Sequence, residues 1–70
     1  MEIKENTEYI RTGKSGYVGS KYSRVMVIGI DDDGDYVLVK RWMAGKKQFA
    51  KGLSAGMEIE DFSENYTPSK

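Results

Sequence analysis

Apolar and polar positions follow a strand-like pattern most clearly over residues 25–42, VMVIGIDDDGDYVLVKRW. Two β-branched runs flank an Asp-Gly pair, the strongest short-range hairpin signal a sequence carries. With Asp33 and Gly34 as a two-residue turn, facing residues sum to 67. Ile30 then faces Val37, Ile28 faces Val39 and Met26 faces Arg41 on one side. The other side pairs Asp31 with Tyr36, Gly29 with Leu38, Val27 with Lys40 and Val25 with Trp42. Both sides carry apolar residues, which suits a curled sheet or small barrel better than a flat sheet on a single core. Gly29 marks a point where a bulge or bend would help that curling.

The remaining pattern predicts short elements around this hairpin. Residues 8–12 read as a strand, with Tyr9 and Arg11 on one side and Ile10 on the other. Residues 12–22, TGKSGYVGSKY, read as a loop with a short extended piece at Tyr17 and Val18. A turn at Met43, Ala44 and Gly45 leads to a strand over 48–53 that places Phe49, Lys51 and Leu53 on one side; a short helix there would instead group Phe49, Ala50 and Leu53. A second turn at Ser54, Ala55 and Gly56 precedes residues 57–62, MEIEDF, whose apolar–acidic alternation reads as a half-buried edge strand. Residues 63–70 hold the sole proline, Pro68, and read as a flexible tail. The expectation is one all-β domain over 1–70: a small SH3-like open or closed barrel of four to five short antiparallel strands around the central 25–42 hairpin, with an OB-like barrel as the next choice.

Composition narrows the function classes. A chain of 70 residues buries only about 60% of its unfolded surface, so its core is thin and self-association, as a homodimer, is one route to stability. There is no cysteine and no histidine, which removes disulfides, thiolate ligands, the thiol nucleophile and the usual proton shuttle. The longest apolar run, residues 25–30, is far short of the ~20 residues of a membrane helix. The expected setting is the cytoplasm, with no membrane association, no cofactor and no catalysis.

Two motif fragments fail on inspection. Gly13, Lys14 and Ser15 match the end of a phosphate loop, but Glu8 stands where the first glycine belongs, and Gly16 and Gly19 interrupt the required helix. Asp31, Asp33 and Asp35 have the spacing of the first calcium ligands of a helix–loop–helix site. Tyr36 and Trp42 then occupy the positions of its glycine and its bidentate glutamate. An acidic hairpin tip that resists edge-to-edge pairing is the simpler explanation, so no metal is expected.

Charge supplies the positive signal. Eleven acids balance eleven bases, which argues against a general nucleic-acid coat, yet the charges come in blocks of one sign. Arg11, Lys14, Lys21 and Arg24 precede the acidic run Asp31, Asp32, Asp33 and Asp35. Lys40, Arg41, Lys46, Lys47 and Lys51 follow without an acid, and Glu58, Glu60, Asp61 and Glu64 close the series. Trp42 and Phe49 lie within the second basic block. The candidate binding residues are therefore Lys40, Arg41, Trp42, Lys46, Lys47, Phe49 and Lys51, with Tyr17 and Tyr22, which lie among Lys14, Lys21 and Arg24, as an extension of that surface. Against that stands the ordinary use of Trp42 and Phe49 as core residues in so small a protein. Two functions fit. One is a non-catalytic protein-interaction module, as adaptor, subunit or small inhibitor of a larger protein, in which segregated charge orients a complementary partner. The alternative is a small nucleic-acid-binding β-barrel that uses the 40–51 region, cations on phosphates and rings on bases.

Overall fold

The computed structural model describes residues 3–13 and 22–69. In chain order the elements are β1 (Glu8–Arg11), β2 (Arg24–Ile30), β3 (Tyr36–Met43), β4 (Gln48–Phe49), β5 (Ala55–Glu58), α1 (Ile59–Asn65) and β6 (Tyr66–Pro68). The six strands form one antiparallel sheet in the order β4-β3-β2-β1-β6, with β5 also paired to β3. The protein is thus mostly β, but the sheet is open, has more strands than expected and carries a helix. These strands do not close into a barrel. Two loop assignments, Lys14–Ser15 and the extended piece at Tyr17 and Val18, lie outside the described residues, as does Lys21.

The central hairpin forms, and its register near the turn is the expected one: Ile30 pairs with Val37 and Gly29 with Leu38. The loop is longer than two residues. The Asp31 N–H donates to the Tyr36 carbonyl at 3.0 Å, and the Gly34 N–H donates to the Asp31 carbonyl at 3.0 Å. Asp31 Oδ1 accepts from the N–H groups of Asp35 at 2.8 Å and Tyr36 at 3.0 Å. Within this turn only Gly34 takes a positive φ, at 75°, where a two-residue primed turn of this type would require it of Asp33 as well. Lengthening the loop by one residue on each side leaves the pairing sum unchanged.

The register changes further along. A bulge between Val27 and Gly29 makes Ile28 the extra residue, so Val27 pairs with Val39, Met26 with Lys40 and Val25 with Arg41. The expected pairs Ile28–Val39, Val27–Lys40, Val25–Trp42 and Met26–Arg41 are corrected accordingly. The bulge falls beside Gly29, where the sequence suggested one. Its consequence is a change of face. Val25 and Val27 join Val37 and Val39 on one side, and all four are fully buried.

Residues 57–62 are not one strand. Met57 is buried between exposed Gly56 and Glu58, and there the alternation stops. From Ile59 onward the apolar residues Ile59, Phe62 and Tyr66 follow helical spacing, and Glu60 and Asp61 occupy the first turn of α1, where the helix dipole favours negative charge. A seven-residue helix is marginal alone and depends on packing. Phe62 provides that packing. Its ring meets Tyr9 edge-on at 5.0 Å and stacks on Tyr66 at 4.9 Å. Residues 63–68, expected as part of a tail, supply the end of α1 and β6. Tyr66 and Thr67 pair with Arg11 and Ile10 of β1. The expected strand over 48–53 shortens to Gln48–Phe49, and Leu53 is exposed.

The core is therefore a single layer between the sheet and α1: Tyr9, four valines, Met57, Phe62 and Tyr66, with Ile3, Tyr22, Ala55 and Ile59 against it. Buried Asn65 joins α1 to β1. Its carbonyl accepts from the N–H groups of Thr12 at 2.8 Å and Gly13 at 3.0 Å, which satisfies a helix-end carbonyl, and its Nδ2 donates to the Asp61 carbonyl at 2.8 Å. A Cβ on Gly13 would stand 2.3 Å from Asn65 Oδ1 and 2.7 Å from Asn65 Cα. Gly13→Ala should accordingly cost about 1–3 kcal/mol, the range for overpacking. Gly45→Ala, with open space around the added methyl, should change stability by less than ~0.5 kcal/mol. Urea unfolding of the two variants checks the contrast, and equal midpoints would contradict it.

Candidate functional site

The face opposite α1 carries the side chains that the bulge turns away from the core. Cross-strand pairing places Glu8 beside Met26, Met26 beside Lys40, and Trp42 beside Phe49 on that face. No described helix covers it, and Ile10 and Tyr36 on the same side are exposed. Trp42 and Phe49 are half-buried and lie outside the core cluster. The core assignment that competed for these two rings does not hold.

The rings form a corner. Their centroids are 5.0 Å apart with planes at 72°, an edge-on geometry worth ~0.5–1.5 kcal/mol beyond area burial. The Arg24 guanidinium carbon lies 3.9 Å above the Trp42 ring centre and 5.6 Å from that of Phe49. Glu8 holds the guanidinium from the adjacent strand: Arg24 Nε donates to Glu8 Oε2, and Nη2 donates to Oε1 at 3.0 Å. This two-pronged grip fixes the plane of the guanidinium as well as its position. A shallow cavity of about 220 Å³ opens beside it, lined by Tyr22, Ser23, Arg24, Trp42 and Ala44.

Three lysines stand near this corner. The chain turns between β3 and β4 with the Lys46 N–H donating to the Met43 carbonyl at 3.1 Å and the Lys47 N–H to the Ala44 carbonyl at 3.3 Å. Lys47 takes a left-handed φ of 53° there. Lys46, Lys47 and Lys51 are all exposed. Lys40 lies on the Trp42 side of β3. Arg41, by contrast, pairs with Val25 and belongs to the other side. The structure thus brings Trp42, Lys46, Lys47 and Phe49 together at one end of the sheet, with Lys40 mid-strand on the same face, Lys51 two residues after β4 and Arg41 on the opposite face.

The acidic run over 31–35 and the first acids of the second run, Glu58 and Glu60, lie at the opposite end, whereas α1 runs back so that Glu64, next to Asn65, sits at the level of Thr12 and Gly13 just past β1. The Ile59 N–H donates to the Asp35 carbonyl at 3.0 Å, which brings the start of α1 to the β2–β3 turn. Asp35, Tyr36, Glu58, Ile59 and Glu60 line a shallow cavity of about 310 Å³. Between the ends runs β3, eight residues long, so the two poles lie about 23 Å apart at the strand rise. Among the described residues no cluster of His, Cys, Asp or Glu is arranged to hold a metal, and no helix is long and apolar enough to cross a membrane.

Glu8 is the member of the site that sequence reasoning did not name. Its signal was its place on β1, two residues before Ile10, but assigning it to Arg24 required the pairing of β1 with β2. The joining of Arg24 to Trp42 required the bulged register. The Arg24–Trp42 contact is open to a double-mutant cycle with Arg24→Ala and Trp42→Leu. The expected coupling is about 0.5–1 kcal/mol, as for a partly exposed cation–π pair, read from urea midpoints; additive effects would contradict the geometry. Compared with family models, curated proteins and solved structures, the chain matches none, so these side chains and their arrangement are what a functional reading rests on.

Proposed function

We propose that this protein is a soluble cytoplasmic, non-catalytic interaction module whose uncovered sheet face docks an acidic segment of another protein. In architecture the proposal keeps the SH3-like likeness only as a small bulged antiparallel sheet that presents aromatic residues on an open side. The observation that carries it is the placement of Trp42 and Phe49. Both rings sit outside the core, at the end of the sheet where Lys46, Lys47 and Lys51 stand, with Lys40 further along the same face, and away from the acidic run over 31–35. Interfaces are built from an aromatic centre with a charged rim, the centre supplying affinity and the rim supplying orientation and encounter rate.

The same geometry favours protein over single-stranded nucleic acid. Base stacking needs a free ring face. One face of Trp42 already carries the Arg24 guanidinium, and Phe49 stands edge-on to the ring. A base stacking there would have to displace an arginine that Glu8 holds in place.

Trp42 is the sole tryptophan, so its emission reports on this corner. Titration with a peptide of Asp, Glu and aliphatic residues should shift the emission, and Lys46→Glu with Lys47→Glu should weaken binding about tenfold, equivalent to 1.4 kcal/mol. A short single-stranded oligonucleotide at micromolar concentration should leave the emission unchanged. An oligonucleotide response that falls steeply with salt, with none to the peptide, would replace this reading with the nucleic-acid one.

A further inference from the structure

The two poles of the molecule are complementary to each other, and one chain cannot bring its own together. They lie at opposite ends of β3, separated by more than the ~8 Å Debye length of physiological salt. We propose that a second copy of this chain is a ligand for the basic–aromatic face: the acidic end of one molecule docks on the Trp42–Phe49 end of the next, head to tail. The proposal rests on the reading of that face as a docking surface and names one occupant for it.

Three observations support this occupant. The chain has zero net charge, with the acidic run over 31–35 and the lysines of the β3–β4 turn at opposite ends of β3, so every copy carries both halves of the contact. At the acidic end, Asp31 is committed to the turn through its bonds to Asp35 and Tyr36. Asp32, Asp33 and Asp35 are exposed there and free of that duty. The same end also presents apolar surface, with Tyr36 at 44% and Ile30 at 39% exposure, which can meet the Trp42–Phe49 corner once the charges have aligned the two molecules. The patches in contact are different surfaces, so the interface is heterologous. Without a closing rotation it extends from copy to copy instead of stopping at a two-fold dimer.

Neutralising variants test the polarity. Asp32→Asn, Asp33→Asn and Asp35→Asn together remove the acidic end while keeping Asp31 for the turn. Lys46→Gln, Lys47→Gln and Lys51→Gln together remove the basic rim and leave the ring corner intact. Sedimentation velocity at low ionic strength should show the wild-type mass rising with concentration beyond a dimer, and the self-association weakening at least tenfold at physiological salt. Each variant alone, with unchanged Trp42 emission as the check on folding, should stay monomeric. An equal mixture of the two should form a 1:1 dimer and nothing larger, because each supplies the end that the other lacks. A wild-type chain that remains monomeric at every concentration, variants that associate as well as wild type, or a mixture that stays monomeric would each overturn the proposal. Binding of the acidic peptide by a monomeric wild-type chain would overturn this inference while leaving the docking face standing, and failure of peptide binding with intact self-association would keep the face and this inference but overturn the reading that it docks an acidic segment of another protein.

Discussion

One extra residue in β2 decides which side chains are inside. The bulge at Ile28 shifts the β2–β3 pairing by one position, and in a strand a shift of one position exchanges the faces. Had the register of the turn continued, Val27 would face Lys40 and Val25 would face Trp42. Either the valines or the lysine would then be on the wrong side. With the bulge, Val25, Val27, Val37 and Val39 meet in the core. Burial of a side chain of this size is worth about 1.5–3 kcal/mol, so four such residues outweigh the ladder bond lost at the bulge, worth about 0.5–1.5 kcal/mol.

The functional face follows from the same shift. Arg24 and Met26 turn toward Lys40 and Trp42, and Glu8 on β1 comes within reach of Arg24. The rings need not fill the core, because α1 and β6 supply Phe62 and Tyr66 to close it from the other side. A thin core completed by a seven-residue helix thus leaves the single tryptophan to the outside. The Asp35–Ile59 hydrogen bond brings the start of the second acidic run to the first at one end, and the β3–β4 turn carries Lys46 and Lys47 at the other. The acidic run over 31–35 and the lysines of the β3–β4 turn thus stand at opposite ends of one strand.

Much of this was legible in the chain. The Asp-Gly turn between β-branched runs announces the central hairpin, and the alternation around Tyr9 announces β1 and its sides. Adjacency of Trp42 and Phe49 follows from a strand, a turn and a strand. Gly29 flags the bulge, but a glycine does not say whether the extra residue precedes or follows it, and the faces depend on that. The helix was hidden because Met57 and Ile59 satisfy a two-residue period as well as Ile59, Phe62 and Tyr66 satisfy a helical one. β6 was hidden because its three residues take their order from β1, across most of the chain length, and no local pattern encodes that pairing. The Glu8–Arg24–Trp42 arrangement is likewise a property of three strands and of no single segment.

The most direct measurement is the pattern of nuclear Overhauser contacts between β2 and β3 in the isotope-labelled chain. The bulged register predicts contacts between the methyls of Val27 and Val39, and between the Arg24 side chain and the Trp42 indole. Contacts of Val25 with the Trp42 indole and of Val27 with the Lys40 side chain would mean an unbroken register, and the division into a valine core and a basic–aromatic face would fall with it.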